Sequence, residues 1–258
     1  MHFIYDFNSL PFYDEEDLVQ RNRFTVAIFQ HVRRLLKVTN PAWEFHRLEA
    51  PCLIPRALVS ANYTDEDLWA QASETADRQL VLKPETTPST YAWLRERLRQ
   101  QALHPPVCAW QLSKSFRREM DQPTKHCRFK EFYQQEFQCL YTVDTKNDYF
   151  EQIIRPLAQA FALEVCCPTR LVVSDRLPSY SEKTWDIEVW NSEKWMEVAS
   201  ISVRNDFPDL VRFKTKEVAC QVLEIATSPD RLTYCWHRRL AAVPALRLDD
   251  SAVSLNPS

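Results

Sequence analysis

A run of basic and aromatic residues near the middle of the chain could bind phosphate groups beside a purine. It reads Ser115-Phe116-Arg117-Arg118-Glu119 and resumes over residues 128–136 after a polar stretch. An Arg at the end of a strand can hold a phosphate bidentately, and its permanent charge can stabilise the charge that builds up during phosphoryl or adenylyl transfer. A Phe on the return strand would offer a flat apolar face to the base. A basic, solvated hairpin with one core Phe accounts for the same residue types.

Hydrophobic periodicity predicts the elements that position this run. Apolar residues 107–116 and 132–141 flank the basic stretch 117–130, which predicts two strands joined by a long loop. The other predicted strands cover residues 43–48, 80–82, 170–173, 184–190, 195–203 and 218–225. The predicted helices cover residues 14–36, 65–76, 87–101, 146–163 and 229–240. These elements favour one α+β domain, an antiparallel β-sheet flanked by helices.

The composition is that of a globular chain and excludes several classes of protein. The 258 residues are 45% hydrophobic and 26% charged, with 32 Lys and Arg against 35 Asp and Glu. A net charge of -3 means that any contact with nucleic acid needs a local basic patch. The sequence contains neither a signal peptide nor an apolar run long enough to cross a membrane, so we expect a cytoplasmic protein. Its eight cysteines lack metal-ligand spacing and are predicted to be reduced thiols.

The most unusual feature of the composition is the absence of glycine. The chain has 0 glycines, although average usage of about 7% would give roughly 18. Positions that need positive φ must then use other residues, and Asn and Asp tolerate that region best after glycine. The candidates are Asn40-Pro41, Asn191-Ser192, Asn205-Asp206 and Asp249-Asp250.

Several motifs, in order along the chain, resemble those of class II aminoacyl-tRNA synthetases. Phe116-Arg117-Arg118-Glu119 resembles the F-R-x-E of motif 2, and residues 128–132 are similar to the R-x-R-E-F of its second strand. Residues 82–86 resemble the L-R-P-E-T of glycyl-type enzymes, and residues 222–231 resemble their motif 3, V-I-E-P-S-x-G-x-x-R. The helix and strand leading to Pro51 look like motif 1. The glycyl type is the first choice, although residues 185–202 look as much like seryl or threonyl enzymes.

The resemblance implies an ATP site and assigns roles within it. Arg117 would bind the α-phosphate and the substrate carboxylate, and Arg231 would face the adenine and the γ-phosphate. Phe132 would stack on the purine, while Glu119 and Arg128 would help to place the nucleotide. The chemistry implied is attack of a carboxylate on the α-phosphorus, in which positioning and positive charge do most of the work.

Four carboxylates are implied to serve the amino acid and the metal. Glu85 and Glu136 match the groups that hold the amino group of glycine, Glu197 would also bind substrate, and Glu224 would lie near Mg²⁺. Structural alternatives stay open for three of them. Glu85 could cap the helix that follows it, Glu224 could be the buried partner of an Arg, and Glu197 could form an ion pair on the sheet.

Departures from the family pattern define the alternatives. Ser228 and Ala226 stand where glycyl enzymes have Gly and Ser, and the glycine expected near Ser200 is missing. We expect residues 1–245 to form the catalytic domain and 246–258 a flexible tail, with no anticodon-binding domain recognised. The resemblance implies a homodimer that uses ATP to activate an amino acid, with glycine as the first choice, and transfers it to tRNA. The alternatives are an inactive, dimeric tRNA-binding or regulatory paralogue and a ligase with another acceptor.

The missing glycine suggests a further hypothesis. A message without glycine codons could be translated while glycyl-tRNA is scarce, which would suit a protein that handles glycine. Deliberate removal of glycine is the competing explanation.

Overall fold

A computed structural model describes residues 5–7, 10–59, 63–71, 79–118, 127–143, 148–175, 179–207, 210–213, 216–239 and 253–255. The helices in these ranges are α1 (Glu15–Thr39), α2 (Thr87–Arg99), α3 (Tyr149–Val165) and α4 (Pro229–Arg238). The strands are β1 (Tyr5–Phe7), β2 (Leu10–Phe12), β3 (Glu44–Arg47), β4 (Leu53–Pro55), β5 (Ala70–Gln71), β6 (Leu80–Leu82), β7 (Val107–Phe116), β8 (Glu131–Thr142), β9 (Thr169–Val173), β10 (Ser181–Trp190), β11 (Trp195–Arg204), β12 (Leu210–Phe213), β13 (Lys216–Thr227) and β14 (Val253–Leu255).

One large sheet organises the chain and confirms the predicted fold class. Its strand order is β14-β9-β10-β11-β13-β8-β7-β3, and β12 pairs with β13 beside this path. Neighbouring strands run antiparallel except for the parallel pair β3 and β7. A small sheet of order β4-β6-β5 and the pair β1-β2 lie outside it. The architecture is therefore an antiparallel sheet flanked by helices, as the periodicity predicted.

The long helix α1 shows why the sequence signals worked. Asp14 accepts a hydrogen bond from the backbone N–H of Asp17, and the Asp17 side chain accepts one from the Asp14 backbone, which completes a capping box. At the other end Asn40 is extended, with φ -154°. Between them Phe24 and Ile28 repeat at helical spacing and are fully buried. The apolar stripe holds α1 against the sheet and the caps set its ends.

The two faces of the large sheet have different chemistry because side chains alternate along each strand. On β8, Phe137 and Cys139 face the main core, which also takes in buried residues of α1, α3 and α4. Glu136 and Gln138 on the same strand face the other way and are buried too. The second face is therefore polar in its centre, and the functional site lies on it.

The prediction of a helix over residues 65–76 is wrong. A single 3-10 turn, Asp65–Asp67, is followed by β5, while residues 72–78 lie outside the described part. The Thr64–Asp67 capping box starts the turn, but Leu68 is extended with φ -110°. Since β5 bonds to β6, sheet hydrogen bonds replace those of a second helical turn.

The predicted sites of positive φ are mostly wrong. The four described residues with positive φ are Gln101, Cys127, Cys166 and Ser192. Only the pair Asn191-Ser192 was anticipated, and there the serine takes the conformation. Asn40-Pro41 and Asn205-Asp206 stay at negative φ, and 249–250 lie outside the described residues. Cys166 directly follows α3 and Gln101 lies two residues beyond α2, so helix termination selected these positions whatever residue stood there.

The eight cysteines are all free thiols, which confirms their predicted state. The Cys108 and Cys139 sulfur atoms, on paired positions of β7 and β8, approach to 3.5 Å within the core. Cys108 and Cys139 therefore pack in the core as small apolar residues.

None of the helices in the described part of the chain has both the length and the hydropathy needed to cross a membrane. Near the end of the chain, β14 pairs with β9, so this short piece of the tail lies against the sheet. The boundary predicted at residue 245 stays a prediction.

Glycine should stabilise the protein at the two strained helix ends. We expect Cys166→Gly and Gln101→Gly each to raise the free energy of unfolding by about 0.5–1 kcal/mol, because relief of left-handed strain exceeds the added entropy of the unfolded chain. Urea denaturation measures the change. Asn40→Gly is the matched control: at an extended helix end, glycine should give no gain. A loss of stability at both Cys166 and Gln101 would contradict the strain argument.

Candidate functional site

A cavity of about 280 Å³ opens on the polar face of the large sheet. The cavity is lined by every predicted site residue that the structure describes. These are Glu85, Arg117, Arg128, Phe132, Glu136, Glu197, Glu224 and Arg231. Glu119, the ninth, lies outside the described residues. Motifs spread over most of the chain therefore meet at one place.

The hairpin of β7 and β8 positions the first cation. Arg117 follows the last residue of β7, and its backbone N–H donates to the Lys130 carbonyl at 2.9 Å, which extends the ladder. Its Nε donates to the Pro84 carbonyl at 3.0 Å. The guanidinium carbon lies 5.2 Å from the ring centre of Phe132 on the return strand. A fixed cation beside a flat ring suits a phosphate attached to a purine nucleoside.

The start of α4 positions the second cation. Ser228 caps the helix, its hydroxyl accepting from the backbone N–H of Arg231 at 3.4 Å. The Arg231 guanidinium donates to the Glu197 carbonyl at 2.9 Å and lies 3.7 Å from the Glu197 carboxylate. Arg117 and Arg231 thus come from separate elements and line the same cavity.

A buried carboxyl group fixes the first turn of α4. Asp230 is 1% exposed and accepts from the Tyr133 backbone N–H at 2.8 Å. Burial raises the pKa of Asp230 to about 6. The guanidinium of Arg21, from α1, packs 4.1 Å from the ring centre of Tyr133. Through its contacts with Arg21 and Asp230, Tyr133 connects α1, β8 and the first turn of α4, which carries Arg231.

Buried carboxylates form the floor of the cavity. Thr87 donates its hydroxyl towards Glu136 at 2.7 Å and lies 3.1 Å from Glu224. The amide of Gln138 bridges the same two carboxylates, at 2.6 Å from Glu136 and 2.7 Å from Glu224. Glu224 and Gln138 are opposite each other on β13 and β8. The register of the sheet therefore places these acidic groups side by side.

Arg204 neutralises part of this buried charge. It is 2% exposed and lies at the end of β11. Its Nη1 donates to Glu224 at 2.6 Å, while Nε and Nη2 form a two-point contact with Asp206 at 3.0 and 2.6 Å. The ring of Tyr180 lies 3.8 Å from the guanidinium carbon. Burial lowers the pKa of Arg204, but Glu224 and Asp206 outweigh it, so the pKa is above its usual value.

The remaining carboxyl groups resist ionisation. Burial, followed by the charges of Glu224 and Glu85, raises the pKa of Glu136 to about 7. Burial also raises the pKa of Glu85, against the lowering effect of Arg204. A positively charged group entering the cavity would favour the ionised form of both. The floor is thus built to receive a cation such as an ammonium group.

Three positioning residues were not predicted from the sequence. Lys83 is fully buried and donates to the Ala50 carbonyl at 3.1 Å and the Ser113 hydroxyl at 2.7 Å, which ties the segment before Glu85 to β7. Tyr63 donates its hydroxyl to Glu85 at 3.1 Å. Arg204 was missed as well, although a charged residue ending the apolar run of β11 was a usable signal.

The structure shows the surroundings of the three carboxylates whose structural alternatives were left open. Thr86 is the residue preceding α2 in the cap position, so Glu85 is free of that role and lines the cavity. Glu224 is the partner of a buried Arg. Glu197 pairs with Arg231 and also lines the cavity.

Glu224 is predicted to lie near Mg²⁺, and this stays a prediction. Its Oε2 already accepts from Arg204 and Gln138 and lies 3.1 Å from the Thr87 hydroxyl. Among the described residues no group of three His, Cys, Asp or Glu side chains is arranged to hold a metal ion. Because a hard cation needs several free oxygens, these residues do not form a metal site by themselves.

The departures from the family pattern leave the backbone undistorted. Ser228 has φ -111°, a conformation open to any residue, and its hydroxyl turns to cap α4. Ser200 lies within β11, opposite Ala226 of β13. Ser228, Ser200 and Ala226 all line the cavity, so they alter its shape and polarity.

Comparison with known proteins agrees with this geometry. Residues 68–227 match the family described as tRNA synthetase class II core domain (G, H, P, S and T). The chain is 32% identical over 133 residues to a glycine--tRNA ligase of Mycoplasma capricolum, covering 50% of this chain and 29% of that protein. It is 28% identical to the corresponding ligase of Mycoplasma mycoides, with the same coverage. The chain spans less than a third of the length of these relatives.

Solved structures share the fold. Prolyl-tRNA synthetase of Giardia lamblia, in complex with prolyl-adenylate, superposes with a TM-score of 0.67 at 17% identity, covering 91% of this chain and 49% of that one. Cytoplasmic serine-tRNA ligase of Naegleria fowleri, in complex with AMP, has a TM-score of 0.68 at 17% identity, covering 92% and 57%. At these identities the likeness establishes the fold alone.

Removing the buried guanidinium should cost much of the stability. We expect Arg204→Met to lower the free energy of unfolding by about 3–5 kcal/mol at pH 8, because it leaves Glu224 buried without its charge partner. Urea denaturation measures the loss. Arg99→Met, which breaks an exposed ion pair with Glu96, is the control and should leave stability unchanged. Equal, small effects at both positions would contradict the assigned role of Arg204.

Proposed function

The chain belongs to the class II tRNA synthetase core family, and we propose that it uses ATP to activate an amino acid as an aminoacyl-adenylate. One observation carries this proposal: Arg117 and Arg231 line a single cavity whose floor is made of buried carboxylates. The cations suit the phosphates of ATP, and the carboxylates suit the ammonium group of an amino acid. Both substrates would therefore meet in one place with their reacting ends together.

The reaction we propose is an in-line displacement at the α-phosphorus. A carboxylate oxygen of the amino acid attacks, the bond to pyrophosphate breaks, and the new bond gives the mixed anhydride. Arg117 binds the α-phosphate and the attacking carboxylate, which lowers their repulsion as they approach. Arg231 binds the far end of the nucleotide. Phe132 stacks on the purine and Arg128 helps to place it.

The amino acid is held by its ammonium group in this proposal. Glu85 and Glu136 provide the negative charge, and Glu197 lies at the cavity wall near Arg231. The roles of Glu119 and of Glu224 beside Mg²⁺ stay predictions, and Mg²⁺ carried by the phosphates of ATP enters no step here. Glycine is the proposed amino acid, supported by the glycine--tRNA ligases that the chain resembles.

Transfer to tRNA and assembly as a homodimer, with motif 1 at the interface, are further parts of the proposal. An inactive, regulatory paralogue is the second candidate, because Ser228 and Ala226 alter the cavity wall. Retention of Arg117, Phe132 and Arg231 around one cavity favours activity.

Amino-acid-dependent exchange between ATP and pyrophosphate tests the proposal. We expect exchange with glycine among the twenty amino acids, and a fall of about 10²–10³-fold in Arg117→Ala, since that cation stabilises the charge at phosphorus. Arg118→Ala is the matched control: Arg118 packs against Trp69, and its loss should leave exchange within a few-fold of the starting value.

No exchange with any amino acid above the Arg117→Ala background would exclude the ligase and favour the inactive paralogue. Exchange with serine or threonine alone would change the proposed substrate.

The pKa of Glu136 predicts a pH dependence of amino acid binding. Because that pKa is about 7, the carboxyl gains a proton as the pH falls through 7 and then attracts an ammonium group less strongly. We expect the KM for the amino acid to rise several-fold from pH 8 to pH 6. Glu136→Gln should give a high KM at both pH values. A KM that is flat in the unmodified protein would remove Glu136 from the substrate site.

A further inference from the structure

Tyr63 touches the two groups that are proposed to hold opposite ends of the amino acid. Its hydroxyl donates to Glu85 at 3.1 Å. The guanidinium carbon of Arg117 lies 5.7 Å from the centre of the Tyr63 ring. Tyr63 also lines the cavity. The Tyr63 side chain therefore extends from Glu85, which is proposed to bind the ammonium group, to Arg117, which is proposed to bind the carboxylate.

The chemistry of an α-amino acid turns this placement into a steric constraint. Its ammonium and carboxylate groups are separated by the α-carbon alone. With the carboxylate on Arg117 and the ammonium on Glu85, that carbon must lie alongside the Tyr63 ring. A substituent directed from the α-carbon to that side would meet the ring.

Contacts beneath Tyr63 hold the ring in place. It packs against the small-sheet cluster, which consists of Ile54, Val59, Leu68 and Val81. Arg56 donates from Nη2 to the Tyr63 carbonyl at 3.0 Å and pairs with Asp65 at 3.1 Å. Burial raises the pKa of the Tyr63 phenol, so the hydroxyl keeps its proton and stays a donor to Glu85. The Arg56 contacts fix the backbone at Tyr63, and swinging the ring aside would expose the cluster and break the hydrogen bond to Glu85.

We infer that Tyr63 determines amino acid specificity by excluding side chains on the α-carbon, which restricts the cavity to glycine. This inference rests on the proposed function and adds the residue that sets the substrate class. A well-fitted apolar wall discriminates one added methyl group by about 10–200-fold. A rigid ring that cannot retreat is expected to reach that range.

Binding of adenylate analogues tests the inference without requiring catalysis. The probes are glycyl-, alanyl- and seryl-sulfamoyl adenosine, measured by calorimetry on the complete chain. We expect the unmodified protein to prefer the glycyl over the alanyl analogue by at least about 10-fold. In Tyr63→Ala this preference should fall by about 10-fold or more, with the gain on the alanyl and seryl analogues.

Two variants separate the ring from other effects. Tyr63→Phe keeps the ring and should retain the preference, while all three analogues bind a few-fold more weakly because Glu85 loses its donor. Trp69→Ala is the matched control. It removes an aromatic side chain that packs on the neighbouring Arg118, and it should change neither affinity nor preference. Tyr63→Leu, which keeps apolar volume over the small-sheet cluster, replaces Tyr63→Ala if thermal melting shows that the alanine variant is unfolded.

The outcomes distinguish the inference from the proposed function. Equal weakening of all analogues in Tyr63→Ala, with the preference unchanged, would overturn the role of Tyr63 and leave adenylate formation standing. Loss of the preference in Trp69→Ala as well would assign it to the small sheet as a whole and also overturn the inference. No binding of any analogue to the unmodified protein would reject the proposed function and the inference with it.

Discussion

The site depends on burying several carboxylates next to one guanidinium. Glu85, Glu136 and Glu224 are each less than 10% exposed, with values of 7%, 2% and 6%. Three buried negative charges without a cation would cost far more than a folded chain of this size can supply. Arg204, itself buried, pairs with Glu224 and opposes the rise that burial causes in the pKa of Glu85. Glu136, which has no ion pair among the described residues, has a pKa of about 7. The floor of the cavity therefore favours a cation, and in the proposed function the ammonium group of the amino acid is that cation.

Much of the fold could be predicted because hydrophobic periodicity and helix-capping residues indicate the same elements along most of the chain. The strand Val107–Phe116 was predicted to the residue, and α1 was placed within a few residues by its apolar stripe and by Asn40. The error over residues 65–76 has a different origin. There the local signals, an acidic turn with a capping box, favour a helix start. Pairing of Ala70 with Val81 depends on a partner strand, and hydrophobic periodicity within one segment does not show which strand will pair with it.

The candidate site was predicted only where a motif marked it. Arg117 and Arg231 were found because they sit in recognisable runs, and the sheet register then brought their neighbours together. Arg204, Lys83 and Tyr63 act through contacts with residues 20 or more positions away. Their importance comes from burial and from the partner they face, and neither is visible in the spacing of residues. Sequence patterns therefore identify residues within recognisable motifs more readily than residues whose roles depend on contacts distant in the sequence.

Three of the four described residues with positive φ lie at the ends of elements, and the fourth, Cys127, lines the cavity. Gln101 and Cys166 take left-handed conformations at helix ends, and Ser192 does so in the turn between β10 and β11, where glycine is the favoured residue. Ser228, which stands at a family glycine position, and Ser200, near which another glycine is expected, are absent from that set and have ordinary backbones. For them the missing glycine changes the size and polarity of the wall, whereas the path of the chain is unaffected. A core of this family can thus keep the path of its chain at these two serines without glycine, while the four residues with positive φ carry the conformational cost.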